Sequence, residues 1–192
     1  MPSRNDNHDF AFVAGASAPV PAYIREDSGS EIGAVIDGVA VLLDWRKRSD
    51  FRCLADVRFV DQVHEYQVVA QPRELSYQVT NAVTGVVESY DPKTGILREG
   101  DSERLADASQ LATEPIAARL AFPLSLGIWG RPGDSYQISG ATRSENELVL
   151  SLRHQEDPSL IGVLVVDQGR RTAIRLDTPT LGIEYRDIQP DF

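Results

Sequence analysis

The chain has 192 residues, a formal net charge of -10 and a pI near 4.7, with 42% hydrophobic and 25% charged residues. That length suits one domain with a sizeable core, and the acidic balance argues against nucleic acid or anionic headgroups as partners. One cysteine, Cys53, excludes an internal disulfide, and no stretch approaches the roughly 20 apolar residues that span a bilayer, so a soluble chain is expected.

Residues 1–27 read as a mobile arm kept extended by Pro19 and Pro21. Its apolar run Phe10 to Val13 is too short for a convincing signal peptide. Residues 28–192 then form the expected domain. Ser28 and Glu31 match a capping box, and Ile32, Val35, Ile36, Val39, Leu42 and Leu43 recur at helical spacing, predicting a helix over 30–47. Arg46, Lys47 and Arg48 complement the dipole at its end.

From Phe51 the period becomes two, predicting a half-buried strand with Cys53 as a structural thiol. Further strands are predicted over 64–71, 74–80 and 85–90, followed by a turn at DPKTG and the apolar pair Ile96 and Leu97. Their close spacing leaves no room for crossover helices, so the sheet must be antiparallel.

A second helical region is predicted over 102–129, broken at Pro115 and ending in the apolar run FPLSLGIWG. There Phe122, Leu126 and Trp129 would share one helix face, with Leu124 and Ile128 on the other. Five more strands are predicted over 134–142, 146–153, 160–167, 171–177 and 181–188, with turns at Asp157-Pro158 and Asp167-Gln168-Gly169-Arg170.

Catalytic signatures are lacking: there is no nucleophile elbow, phosphate loop, dinucleotide fingerprint or zinc helix motif. His154 with Glu156 and Asp157 reads as a polar turn rather than a metal site. The adjacent His64, Glu65 and Tyr66 are the one tight cluster that an enzyme reading would use. No catalytic residue, metal or cofactor is expected.

About eight antiparallel strands with one apolar face must cover that face or close on themselves. The fold class expected is α+β: a strongly curved antiparallel sheet, a half-open β-barrel, with helices packed in its concave side as a lid. Side chains alternating inward would be Val57, Phe59, Val68, Tyr77, Val79, Leu150, Leu152, Val163 and Val165, opposed from the helices by Val39, Leu43, Leu126 and Trp129. They would line an apolar ligand cavity, although a filled core needs the same residues.

The order of elements resembles the LolA/LolB-like superfamily over residues 30–190. The resemblance is carried by LLDWRKRSDFRCLADVRFVD, VVAQPRELSYQV and VVESYDPKTGIL, then by FPLSLGIWG before SYQIS, and by ELVLSL, LIGVLVVDQGRRTAIRLD and LGIEYRDI. LolA is a periplasmic lipoprotein carrier, and related folds include the RseB sensor domain and LppX- and LprG-type lipid-binding lipoproteins. The resemblance implies a monomeric, extracytoplasmic, non-enzymatic protein that holds a lipid or an acylated protein, with a membrane-associated partner. The alternative it implies is an RseB-like interaction domain with a filled core.

Overall fold

The computed structural model describes residues 28–60, 62–106 and 114–191. The arm predicted over 1–27, and residues 107–113 of the predicted second helical region, lie outside the described residues.

The predicted first helix is α1, Ser28–Leu43, continued by a 3-10 turn over Asp44–Lys47. The first half of its inner face is made of small residues, and large ones enter only toward its end. Ala34, Gly38, Leu42 and Trp45 are buried, Val35 and Val39 are half-buried, and Ile32, Ile36 and Leu43 are 64%, 62% and 53% exposed. The cause lies at Gly38, where an added Cβ would come within 2.6 Å of the Leu150 side chain. At Gly38 the helix thus sits too close to the sheet for any side chain.

Eleven strands form one antiparallel sheet: β1 Phe51–Phe59, β2 Gln62–Gln71, β3 Ser76–Asn81, β4 Val87–Asp91, β5 Ile96–Glu99, β6 Ser102–Leu105, β7 Tyr136–Arg143, β8 Glu147–His154, β9 Ile161–Asp167, β10 Thr172–Asp177 and β11 Leu181–Pro190. Their order is β6-β5-β4-β3-β2-β1-β11-β10-β9-β8-β7. Two meanders therefore meet where the first strand pairs with the last, Phe51 opposite Pro190 and Phe59 opposite Leu181. The sheet stays open between β6 and β7, so the fold is the expected α+β curved sheet with a helix against it. Register shifts between Arg52 and Leu54, Ala173 and Arg175, and Ile138 and Gly140 supply bulges, which bend strands and increase twist.

Strand β6 corrects the expected helix at 102. SERL has no alternation to signal a strand, and its residues are all exposed. What holds it is the turn at Gly100, whose φ of +60° suits glycine, and cross-strand pairs from Arg98 to Glu103 and from Arg104 to Glu99. A short, charged edge also discourages further strand addition.

Candidate functional site

The concave face of the sheet is the candidate site, because it carries the apolar layer and the parts that cover it. From the β1 side, Cys53, Ala55 and Val57 line up with Val68 on β2, Val79 on β3, and Ile183 and Tyr185 on β11. Leu176, Leu164, Val166, Leu148, Leu150 and Leu152 continue this layer to β8.

α1 covers the β7, β8 and β10 side; in the segment 114–129, Ile116–Ala118 covers β1, β2 and β3, and Pro123–Ser125 lies against α1. The helix expected there is replaced by two 3-10 turns, Ile116–Ala118 and Pro123–Ser125, after which Leu126 is already extended. Pro115 and Pro123 each remove a backbone donor, so a continuous helix cannot run through both. Consequently Phe122, Leu126 and Ile128 are all buried, while Leu124 is 41% exposed, a division no single helix face would give.

Phe122 is the keystone of this cover. Its ring meets Trp45 edge-on at 5.4 Å and Tyr77 at 6.0 Å, so it joins the end of α1 to β3. The polar fastenings are few. The Tyr185 hydroxyl donates to the Ala117 carbonyl at 2.8 Å and accepts from the Ala121 N–H at 3.3 Å. Burial, with a smaller contribution from Cys53, pushes this phenol well above its ordinary range, so it remains a donor.

Beyond Phe122 the chain is clasped to β7. Trp129 bridges to Gln137, its indole N–H donates to the Pro123 carbonyl at 2.9 Å, and its backbone N–H donates to Asp134. Partial burial opposes ionisation of Asp134, but hydrogen bonds from Arg131 and Trp129 outweigh it and hold the carboxyl below the usual range.

Toward β4 and β5 the concave face becomes amphipathic. Tyr77 and Tyr90 lie 6.2 Å apart, and Glu88 stands directly opposite Glu99. Burial, then Glu99, raises the Glu88 carboxyl, and burial also raises Glu114 at the start of the covering segment.

Val57, Val68, Tyr77, Val79, Leu126, Leu150 and Leu152 are buried on the concave side, with Val39 and Trp129 partly buried beside them. Four of the residues expected to line a cavity are placed differently. Leu43 faces outward on α1. Phe59 is 40% exposed at the strand end, against His64. Val163 and Val165 stand on the opposite face, in register with Ser151 and Val149, because β9 turns Leu164 and Val166 inward. A continuous apolar strand has no alternation to mark its inner face, and only pairing with β8 decides it.

The His64, Glu65 and Tyr66 cluster does not converge, since alternation sends Glu65 to the convex face, where it pairs with Arg186. The His154 Nδ1 accepts N–H groups of Glu156 and Asp157 and so caps a turn. Sequence reasoning missed Tyr185 and Phe122 as the two contacts that join cover to sheet. Their signal was present only as a tyrosine in the last strand and an aromatic before a proline.

No protein-family model and no curated protein matches the chain. Among solved structures it is similar to an uncharacterized conserved protein of Thermus thermophilus, at 10% identity and a TM-score of 0.46, covering 82% of this chain and 88% of that one. It is similar to MucB in the Pseudomonas aeruginosa MucA/MucB complex, at 11% identity and a TM-score of 0.39, covering 80% of this chain. The chain spans 56% of that MucB chain. A LolA superfamily protein of Nitrosomonas europaea is similar at 13% identity and a TM-score of 0.29, covering 81% of this chain and 94% of that one.

Proposed function

We propose that this chain is a non-enzymatic binding protein that holds an acyl chain, free or on a lipid or protein, between the curved sheet and its cover, in an extracytoplasmic compartment. The observation that carries the reading is the nature of the cover. Over β1 to β3 it consists of a non-helical segment held mainly by apolar side chains and by one tyrosine hydroxyl.

Its own Leu120, Phe122, Leu126 and Ile128 are all buried. Returning these four side chains to water costs roughly 6 to 12 kcal/mol, and burying an acyl chain of about sixteen carbons at ~0.8 kcal/mol per methylene returns a similar amount. Exchange of cover for ligand is therefore close to balanced, as a carrier that both loads and releases requires. Among the described residues no helix is long and apolar enough to cross a membrane.

Native mass spectrometry after expression in a lipid-containing host, together with uptake of a fluorescent fatty acid, tests the reading. Phe122→Ala should raise uptake by loosening the cover. If neither the wild type nor this variant, with its fold verified by circular dichroism, takes up lipid, the proposal fails.

A second reading, a protein-interaction domain with a filled core, draws on a different observation. Ile32, Ile36 and Leu43 form an exposed apolar stripe along α1, the kind of surface that a partner buries. Loss of partner binding in an Ile36→Asp variant, with fatty-acid uptake absent throughout, would favour it.

A further inference from the structure

Arg48 is a buried charge that the acyl-binding reading leaves without a task. It follows the 3-10 turn after α1 and is 6% exposed. Its Nη2 donates to the Val41 carbonyl at 3.2 Å, while Nε and Nη1 have no acceptor among the described residues. A guanidinium has five N–H donors in a planar fork, and burying it with donors unfilled is among the costlier arrangements a fold can hold. Burial lowers the pKa of Arg48 to about 10; the Tyr185 hydroxyl opposes this and Arg171 adds to it. Among the described residues no carboxylate contributes to offsetting that loss of solvation.

Arg48 also forms part of the wall of a pocket of about 240 Å³ between the α1–β1 junction, the β9–β10 turn and the end of β11. Arg170 brings a second guanidinium, which spends Nη1 on Asp167 and is otherwise exposed. Ser49 and Thr172 add hydroxyls, Asp50 is the one carboxylate of the wall, and Phe51, Ile188 and Pro190 make an apolar floor. The volume is below that of pockets for drug-sized ligands, so it selects a small group.

We infer that this pocket binds a phosphate group, as free phosphate or as the phosphomonoester head of a larger molecule, on the forks of Arg48 and Arg170. Two guanidiniums match the two charges of a phosphate near neutral pH, and bidentate pairing is the geometry in which arginine excels. The unfilled Nε and Nη1 of Arg48 have almost no accessible surface, so binding requires its long, unbranched stem to swing the fork toward the pocket it lines, where Phe51, Ile188 and Pro190 would receive the first carbons of an ester. The inference is independent of the acyl-binding reading.

The test uses the full chain at constant ionic strength, with sodium chloride as control. Inorganic phosphate should raise the wild-type Tm with the logarithm of its concentration, and should shift the backbone NMR signals of Gly169, Arg170 and Ile188 saturably. Arg170→Ala, an exposed change that leaves folding intact, should weaken the apparent affinity at least tenfold. Arg48→Met should abolish the response while its Tm in phosphate-free buffer stays at or above that of the wild type, since an unpaired buried charge is gone.

A second arm replaces inorganic phosphate with vesicles of phosphatidic acid in phosphatidylcholine. A response to inorganic phosphate assigns a free phosphate, and a response to the vesicles alone assigns a lipid head; either supports the site. No response of the wild type to either probe, or an undiminished response in Arg170→Ala, overturns it.

Discussion

The hydroxyl of Tyr185, on the last strand, donates to the carbonyl of Ala117, in the segment that crosses the concave face, at 2.8 Å, and both residues are buried. The same hydroxyl accepts from Ala121, so one side chain satisfies two backbone groups of a segment too irregular to satisfy its own. Buried backbone groups need partners, and a segment of 3-10 turns has few. Tyr185 is therefore where cover and sheet are energetically coupled.

Tyr185→Phe removes the hydroxyl and little else. It should destabilise the protein by about 1 to 3 kcal/mol, the cost of leaving buried polar groups unpaired, as read from urea denaturation. The same variant should increase hydrogen exchange at Ala121 relative to the strands. An unchanged midpoint would mean that the cover is held by apolar packing alone.

Two glycines of α1 should respond oppositely to alanine. At Gly33 an added Cβ meets nothing within 4 Å, so Gly33→Ala should stabilise by up to about 1 kcal/mol through helix propensity. At Gly38 the new methyl would overlap the fully buried Leu150, so Gly38→Ala should cost about 1 to 3 kcal/mol despite the same gain in propensity. Thermal unfolding of both variants decides whether α1 packs as closely on β8 as described.

Burial pushes the Cys53 thiol from its ordinary 9.0 up to about 12. The unfolded chain therefore loses this proton first, and the stability contributed by the neutral thiol is complete below pH 9 and declines as pH rises from 9 toward 12. Between pH 9 and 10 the decline contributed by this thiol should approach about 1.4 kcal/mol per pH unit, partly offset by Arg48, which titrates near 10 in the folded protein with the opposite sign. Cys53→Ala should flatten that part of the profile. A thiol reagent should also react with Cys53 only at the rate of unfolding, and rapid labelling of the folded protein would contradict its burial.

Much of the strand framework was legible because alternation is a local property. β1 announces itself through Phe51, Cys53, Ala55 and Val57, and two of the turns among the five closing strands, Asp157-Pro158 and Asp167-Gln168-Gly169-Arg170, are recognisable. β9 was legible as a strand but not in its facing, since Ile161 to Val166 is apolar at nearly every position. β6 was not legible at all, because its four exposed residues owe their conformation to β5.

The sequence alone determined the α+β class, the antiparallel order forced by short connections, and the acidic balance of charge. These follow from periodicity, chain length and charge, which need no knowledge of what touches what. Tertiary structure decided which stripe of α1 is buried, how residues 114–129 cross the concave face, and that Arg48 lies inside rather than in solvent. Each of these depends on how closely two distant segments approach. Leu150 meets Gly38, Phe122 reaches both Trp45 and Tyr77, and the Val41 carbonyl takes one donor of a guanidinium whose other nitrogens are left unfilled.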